Sequence, residues 1–134
     1  FIIKANDSNS SINPNEASNQ VVNTINSYNG YCIGDPIFFN TTFDFYFKGT
    51  VLSLSEKRAI ILHNNERFTL KYKRLFHNTG TVKIEGKNVA PGTAASLIED
   101  NSEVKIIGYN QNLVLLERLN GKRFTLKHSS IHIK

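Results

Sequence analysis

The chain contains few of the residues that bring special chemistry to a protein. Its 134 residues include one cysteine, Cys32, and no methionine. A single cysteine excludes an internal disulfide, so the redox compartment cannot be inferred from bridges. No run of about 18 apolar residues is present, and the sequence therefore predicts no membrane-spanning helix. With 40% hydrophobic residues, the chain is expected to fold around one ordinary core.

Patterns typical of catalysis and metal binding are also missing. The four histidines are separated by 14, 51 and 4 residues and Cys32 stands alone, so no pattern of paired zinc ligands is visible. The sequence has no G-x-S-x-G turn and no glycine-rich oxyanion loop. Glu99 and Asp100 are adjacent and do not form a separated catalytic pair. We therefore predict a protein that is not an enzyme and that needs no metal or cofactor.

Basic residues outnumber acidic ones by 16 to 11, which gives a formal net charge of +5. This balance favours acidic partners or anionic membrane surfaces. The basic residues are dispersed except for "KYKR" at 71–74, which we interpret as a solvated face. Binding to a nucleic-acid strand would need aromatic residues among the basic ones on an exposed face, whereas Tyr72 has the parity of Phe68 and Leu70. No direct contact with nucleic acid is expected.

The first thirty residues predict a tether followed by a helix. Residues 1–12 are mostly small and polar, and because no initiator methionine precedes them we expect a membrane anchor or signal before this tether. Asn13 can cap a helix that Pro14 opens, and Glu16 lies where it can reach back to the cap. An apolar stripe at helical spacing follows, and Gly30 can end the helix after Asn29. The domain is predicted to span residues 13–134.

Beyond Gly30 the apolar period changes from helical to two. Phe43, Phe45 and Phe47 alternate with polar residues, which predicts a half-buried strand, and Gly49 is expected to hold a bulge where the parity flips. "HNNE" and "LNGK" predict turns between later strands, and "PGTAASLIEDN" predicts a brief helix or turn. The predicted fold class is α+β, with the N-terminal helix packed on a strongly bent, mostly antiparallel β-sheet or small β-barrel.

The pentapeptide "RFTLK" occurs twice, at 67–71 and at 123–127. Both copies follow a polar turn and occupy the return strand of a predicted hairpin. In each copy the Phe and Leu point to one face, and the Arg, Thr and Lys point to the other. We interpret the repeat as mainly structural, with the two basic faces forming a shared positive surface as the alternative.

Three groups of side chains are candidates for function. Phe43, Phe45 and Phe47 either fill the core or line a pocket for a small amphiphilic ligand. Cys32 is either a small buried hydrophobe or a residue that forms a covalent bond with a partner. Each histidine is either an ordinary hydrogen-bonded residue or a pH sensor, because imidazole titrates near mildly acidic pH. The pH-sensing candidates are His63, His77, His128 and His132.

The order of these elements resembles a family of small bacterial membrane proteins. A tether, a helix, the "YC" segment, the alternating "FDFYFKG" strand and its "LSL" continuation are similar to the FidL-like single-pass inner-membrane accessory proteins, among them the PsaF and MyfF partners in Yersinia fimbrial regulation. The resemblance implies a periplasmic domain anchored in the inner membrane. It also implies a partner, the periplasmic domain of a ToxR-like membrane-bound transcription activator, and a response to acidity.

A second resemblance implies a different class of function. The segments "FKGTVLSLSEKRAIILHNNERFTL" and "EVKIIGYNQNLVLLERLNGKRFTL" are similar to the small β domain of inner-membrane scaffold proteins in type II secretion and pilus assembly. The helix before residue 30 and the "TVKIEGKNV" strand depart from that group. This resemblance implies a structural connector domain of a secretion or pilus assembly scaffold, without a sensing role.

Overall fold

The structure, a computed structural model, describes residues 25–42 and 45–134. Within these ranges the chain forms 14 short β-strands and two 3₁₀ turns. The first seven strands are β1 (Ser27–Tyr28), β2 (Tyr31–Cys32), β3 (Pro36–Asn40), β4 (Tyr46–Leu54), β5 (Arg58–His63), β6 (Glu66–Lys71) and, after a 3₁₀ turn at Tyr72–Arg74, β7 (Leu75–His77). The others are β8 (Val82–Ile84), β9 (Lys87–Val89), β10 (Ala94–Leu97), β11 (Glu103–Tyr109), β12 (Leu113–Arg118), β13 (Arg123–Lys127) and, after a 3₁₀ turn at His128–Ser130, β14 (Ile131–Ile133).

The second seven strands repeat the topology of the first seven. In the first repeat β1 pairs with β2, β3 pairs with both β4 and β7, and β5 lies between β4 and β6. In the second repeat β8 pairs with β9, β10 pairs with both β11 and β14, and β12 lies between β11 and β13. The first "RFTLK" segment lies in β6 and the second forms β13. The two segments therefore occupy the same position in the two repeats.

Local details of the two repeats also correspond. Both opening hairpins turn through a residue with positive φ followed by glycine, Asn29-Gly30 in the first and Glu85-Gly86 in the second. In the long strands the pairing register shifts between Val51 and Ser53, and again between Ile106 and Gly108. The skipped residues form equivalent bulges that bend β4 and β11.

The repeats join into one ten-stranded antiparallel sheet through a pairing of β7 with β11. The principal path runs β13-β12-β11-β7-β3-β4-β5-β6, and its two ends do not pair with each other, so the sheet does not close into a barrel. The predicted antiparallel sheet is confirmed, and the barrel alternative is wrong. Each "RFTLK" strand lies at one end of this path.

The predicted helix is wrong where the structure describes its residues. Ser27–Tyr28 is a strand, and Asn29 and Gly30 form the turn of a β-hairpin with Tyr31–Cys32. A helix end and a two-residue hairpin both place glycine at positive φ, and here the Asn-Gly pair makes the hairpin. The start of the predicted helix and the tether lie outside the described residues. The described part contains no α-helix, and Ala94–Leu97, predicted as a brief helix or turn, is a strand.

The core consists of one apolar cluster inside each repeat and a third cluster between them. Phe39, Ile61 and Leu75 are fully buried in the first repeat, and Ile106 and Leu116 are fully buried in the second. Burying such side chains contributes about 1.5–3 kcal/mol each. The apolar face of each sheet segment thus stabilises its own repeat.

The third cluster holds the two repeats together. Phe38 on β3 and Phe76 on β7 extend from the outer face of the first repeat and pack on Leu115 of β12. Arg123 lies at the edge of this contact, where its guanidinium lies 5.1 Å from the centre of the Phe38 ring and donates a hydrogen bond to the carbonyl of Tyr46. The contact therefore combines buried apolar area with a cation–π interaction.

Two glycines allow close packing. The bulge expected at Gly49 lies three residues later, at Leu52, and Gly49 instead packs closely, because a Cβ there would lie 2.5 Å from Ile61 Cγ2. A Cβ on Gly108 would lie 3.0 Å from the His77 carbonyl oxygen and 3.3 Å from Phe76 Cβ. The glycine at 108 lets the second repeat approach the first.

Gly108→Ala is therefore expected to weaken the contact between repeats. The added methyl group meets a backbone oxygen that cannot move freely, and overpacking of this kind costs about 1–3 kcal/mol. Ser53→Ala is the matched control, because Ser53 occupies the equivalent position in the first repeat and is exposed. Urea unfolding measures both changes, and equal stabilities of the two variants would contradict this role of Gly108.

Candidate functional site

The most distinctive constellation lies where the two repeats meet. The imidazole of His77, at the end of β7, stacks on Tyr31 with ring centres 4.0 Å apart and planes inclined by 5°. On the side of the second repeat it contacts Tyr109, with ring centres 5.0 Å apart and planes inclined by 28°. His77 and Tyr109 are also the two residues through which β7 pairs with β11. One histidine therefore contacts aromatic rings from both repeats.

Two adjoining clefts open around this stack, with volumes of about 190 and 590 Å³. They share Asn29, His77, Asn110 and Gln111. Most of the other side chains around them are amides, tyrosines and basic residues, which provide hydrogen-bond donors and acceptors in addition to aromatic surface. The arrangement can bind a polar partner.

Burial controls the protonation of the stack. Burial lowers the pKa of His77, and the nearby Asp35 carboxylate opposes this shift in part. Burial also raises the pKa of Tyr31 and of Tyr109, so both phenols remain neutral. The neutral form of His77 is the one that suits this site. Other titratable groups around the clefts are Tyr72, Lys73, Lys83 and His128.

Tyr31 is unusual because its hydroxyl is buried without a partner. The residue is 2% exposed, and its oxygen makes no hydrogen bond within the described residues. By contrast the Tyr109 hydroxyl donates to the Thr79 carbonyl oxygen at 2.8 Å. A buried hydroxyl without a partner costs free energy. The ring of Tyr31 therefore stabilises the fold, and its hydroxyl oxygen does not.

The other predicted pH sensors have more local contacts. His128 Nε2 lies 3.0 Å from the Asn110 carbonyl oxygen and 3.1 Å from that of Leu113, so this nitrogen must donate. Tyr72, at the equivalent position of the first repeat, donates its hydroxyl to the carbonyl oxygen of Ser55. Because imidazolium also donates from Nε2, protonation does not break the His128 contact. His128 therefore closes a loop, as its tyrosine counterpart does.

His63 and His132 lie away from the junction and from each other. His63 Nδ1 bonds to the Lys48 carbonyl oxygen at 2.6 Å, and its ring contacts Phe39 edge-on. His132 Nδ1 lies 2.7 Å from Glu85, whose other oxygen accepts the Ile133 N–H. These two bonds lower the pKa of Glu85. The structure thus places only His77 and His128 of the four histidines beside the clefts.

The remaining sequence candidates do not form a site. Phe45 is 64% exposed and Phe47 is 37% exposed, so neither fills the core, and Phe43 lies outside the described residues. Phe47 contacts His63 and Phe39 at the surface, and it lines none of the described clefts. Cys32 carries a free, exposed thiol, so its interpretation as a buried hydrophobe is wrong, and the thiol is accessible to a covalent partner.

Tyr31, Tyr109 and Asp35 were not predicted as site residues. The signal that points to Tyr31 is the Asn29-Gly30 pair, which marks a hairpin and turns Tyr31 back towards the sheet. Gly30 itself lies close to the imidazole, since a Cβ there would lie 3.5 Å from the ring of His77. The partnership with Tyr109 depends on the contact between repeats, which the local pattern does not reveal.

Comparison of the sequence with models of protein families finds no match, and comparison with curated proteins finds no relative. None of the helical segments in the described ranges is long and apolar enough to cross a membrane. The described residues also contain no group of three or more histidine, cysteine or acidic side chains placed to hold a metal ion.

His77→Gln is expected to reduce the pH dependence of stability. The folded-state pKa of His77 lies below the unfolded value near 6.5, so the unfolded chain binds the proton first. Its contribution to stability is therefore full above about pH 6.5 and decreases as pH falls towards the folded-state pKa. The free energy of unfolding should therefore change less with pH in His77→Gln than in the wild type over this range.

Urea unfolding at a series of pH values measures this difference. His63→Gln is the control, because His63 lies away from the junction and bonds to the backbone carbonyl oxygen of Lys48 and to no carboxylate within the described residues. An unchanged slope in His77→Gln would remove His77 as the buried titrating group.

The two tyrosine hydroxyls are expected to respond differently to removal. Tyr31→Phe removes a buried oxygen that has no partner within the described residues, and should leave the free energy of unfolding unchanged or raise it by about 1 kcal/mol. Tyr109→Phe removes the bond to Thr79 and should lower it by about 1 kcal/mol. Thermal melting of both variants compares them, and a clear destabilisation by Tyr31→Phe would show that its hydroxyl has a partner in solution.

Proposed function

We propose that this chain is a non-enzymatic accessory domain that binds and stabilises the periplasmic domain of a membrane-anchored transcription activator, and that acidity modulates this binding. The observation that carries the proposal is the stacking of His77 between tyrosines of both repeats. A proton gained there places a charge in a partly buried contact. Because both repeats contribute to the contact, a partner that binds across it would respond to the change.

The class of partner and the location come from the resemblance to FidL-like accessory proteins. In this proposal the domain lies in the periplasm and is anchored in the inner membrane, where it experiences external acidity. The polar clefts beside His77 are suited to a hydrogen-bonding protein surface. Phe45 and Phe47, considered for an amphiphilic ligand, do not line these clefts, so we favour a protein as the partner.

A structural connector of a secretion or pilus assembly scaffold is the second candidate. The observation that favours it is the antiparallel β architecture of the described residues, without the helix that separated the sequence from that group. The "TVKIEGKNV" segment is the opening hairpin of the second repeat and therefore an integral part of a duplicated β unit. In this case the partner would be another component of the scaffold, and binding would not depend on pH.

Co-purification from envelope fractions tests the proposal. The domain, with a membrane anchor, is isolated at about pH 7.5 and about pH 5.5, on either side of the ordinary histidine pKa. We expect recovery of a membrane-bound winged-helix activator with a yield that differs between the two pH values. The difference should disappear in His77→Gln and persist in the control variant His63→Gln.

Other outcomes discriminate between the candidates. Recovery of a secretin or a pilus assembly protein, equally at both pH values, would support the connector function. Recovery of the activator with the same pH dependence in wild type and His77→Gln would support the partner and reject the role of His77.

A further inference from the structure

The two "RFTLK" strands differ in what surrounds them. Within the described residues β6 pairs on one side with β5, and β13 pairs on one side with β12, so each has a free edge. On β13, Arg123 is half-buried, bonds to Glu117 at 3.0 Å and donates to Tyr46 of the first repeat. On β6, the equivalent Arg67 is exposed. Arg67 in the first copy is therefore accessible to solvent, whereas Arg123 in the second copy contributes to the contact between repeats.

The backbone groups at the free edge of β6 can be assigned from its hairpin. Asn64 and Asn65 both have positive φ and form a two-residue turn, so His63 and Glu66 form the hydrogen-bonded pair next to it. Hydrogen-bonded and non-hydrogen-bonded pairs alternate along an antiparallel ladder. The outward N–H and C=O groups of β6 consequently belong to Arg67, Thr69 and Lys71, whose side chains are also exposed.

Positive charge is concentrated along this edge. A cleft of about 310 Å³ lies where β6 enters the 3₁₀ turn, and its lining residues are Arg58, Thr69, Leu70, Lys71, Lys73 and Arg74. Within the described residues no carboxylate lies within 4.0 Å of its four basic groups. The edge therefore offers both unpaired backbone groups and unneutralised cations to a ligand.

The second repeat provides an internal comparison. Its equivalents of Arg58, Lys73 and Arg74 are Leu113, Ser129 and Ser130. Of the four basic residues in the first repeat, the second keeps only the counterpart of Lys71, which is Lys127. Because the backbone arrangement is the same in both repeats, the concentration of charge is a property of the β6 edge and not of the fold.

The geometry points to the β6 edge as a site for strand addition by an acidic, extended segment of a protein partner. Such a segment would complete the backbone hydrogen bonds of Arg67, Thr69 and Lys71, and its carboxylates would face the basic side chains. A second copy of β6 is disfavoured as the occupant, because antiparallel pairing would place these cations against each other. This inference deepens the proposed function by naming the contact used by a protein partner.

A synthetic peptide tests the site directly. The probe is fluorescein-labelled Glu-Val-Glu-Val-Glu-Val-Glu with blocked ends, whose binding at about pH 7.5 is followed by fluorescence anisotropy in low salt. Lys71→Glu should weaken binding about tenfold, whereas Lys127→Glu, the matched change on β13, should leave it within about twofold. Equal weakening by both changes would indicate diffuse attraction and overturn the inference.

A second pair of measurements tests the backbone contribution. Thr69→Pro removes an N–H that β5 does not use, and proline is tolerated at such an edge position, so binding should fall about tenfold while the fold persists in circular dichroism. Peptides N-methylated at alternate residues, prepared in both registers, should bind less well in one register. If both registers bind like the parent peptide, no strand is added and the inference is overturned.

Two further outcomes separate this inference from its alternatives. Tighter binding of a short single-stranded oligothymidylate, weakened by Lys71→Glu, would identify a polyanion site and overturn strand addition. Co-purification separates it from the proposed function: a Thr69→Pro variant that loses the peptide but retains the activator overturns β6 as the contact with this partner and leaves the proposed function standing. Peptide binding without any recovered activator keeps the β6 site and rejects the activator as partner.

Discussion

The packing of Phe38 and Phe76 on Leu115 is the contact on which the rest of the structure depends. Each repeat has its own apolar cluster, but a sheet of five short strands leaves a second face that must also be covered. The second repeat covers the outer face of the first repeat. This contact places β7 beside β11 and His77 beside Tyr109. The clefts and the stacked imidazole exist because two similar units pack through different faces.

The strands could be predicted from the sequence better than the way in which they are arranged. The alternation in "RFTLK" correctly placed Phe68 and Leu70 inside and Thr69 outside, because side-chain period is a local property. The Asn29-Gly30 turn was misassigned because glycine at positive φ ends helices and makes hairpins equally well. The parity flip after Phe47 was real, but its bulge lay at Leu52, and Gly49 instead packs closely on Ile61. The His77 stack could not be predicted, because its two tyrosines come from strands that meet only through the contact between repeats.

The duplicated pentapeptide shows how one local pattern acquires two roles. Its alternation gives both copies the same inward-facing Phe and Leu, and the hairpin gives both the same outward backbone groups. The surroundings of the two copies differ: Arg123 contacts Phe38 of the other repeat, whereas Arg67 faces solvent on the strand that leads into the basic 3₁₀ turn. The answer to whether such a repeat is structural or functional therefore depends on the surroundings of each copy.

The contact between repeats also has a consequence for assembly. It is head-to-tail, because the face of β3 and β7 in the first repeat packs on β12 of the second, and contacts of this kind can continue without limit. The equivalent face of the second repeat carries Ser96 and His132 in place of Phe38 and Phe76. Beside them, the Glu85 carboxylate accepts a hydrogen bond from the Ile133 N–H. Polar residues thus replace the apolar ones at the position where a third unit would dock. Within the described residues, that face of the second repeat therefore lacks the apolar contact by which the first repeat binds its neighbour.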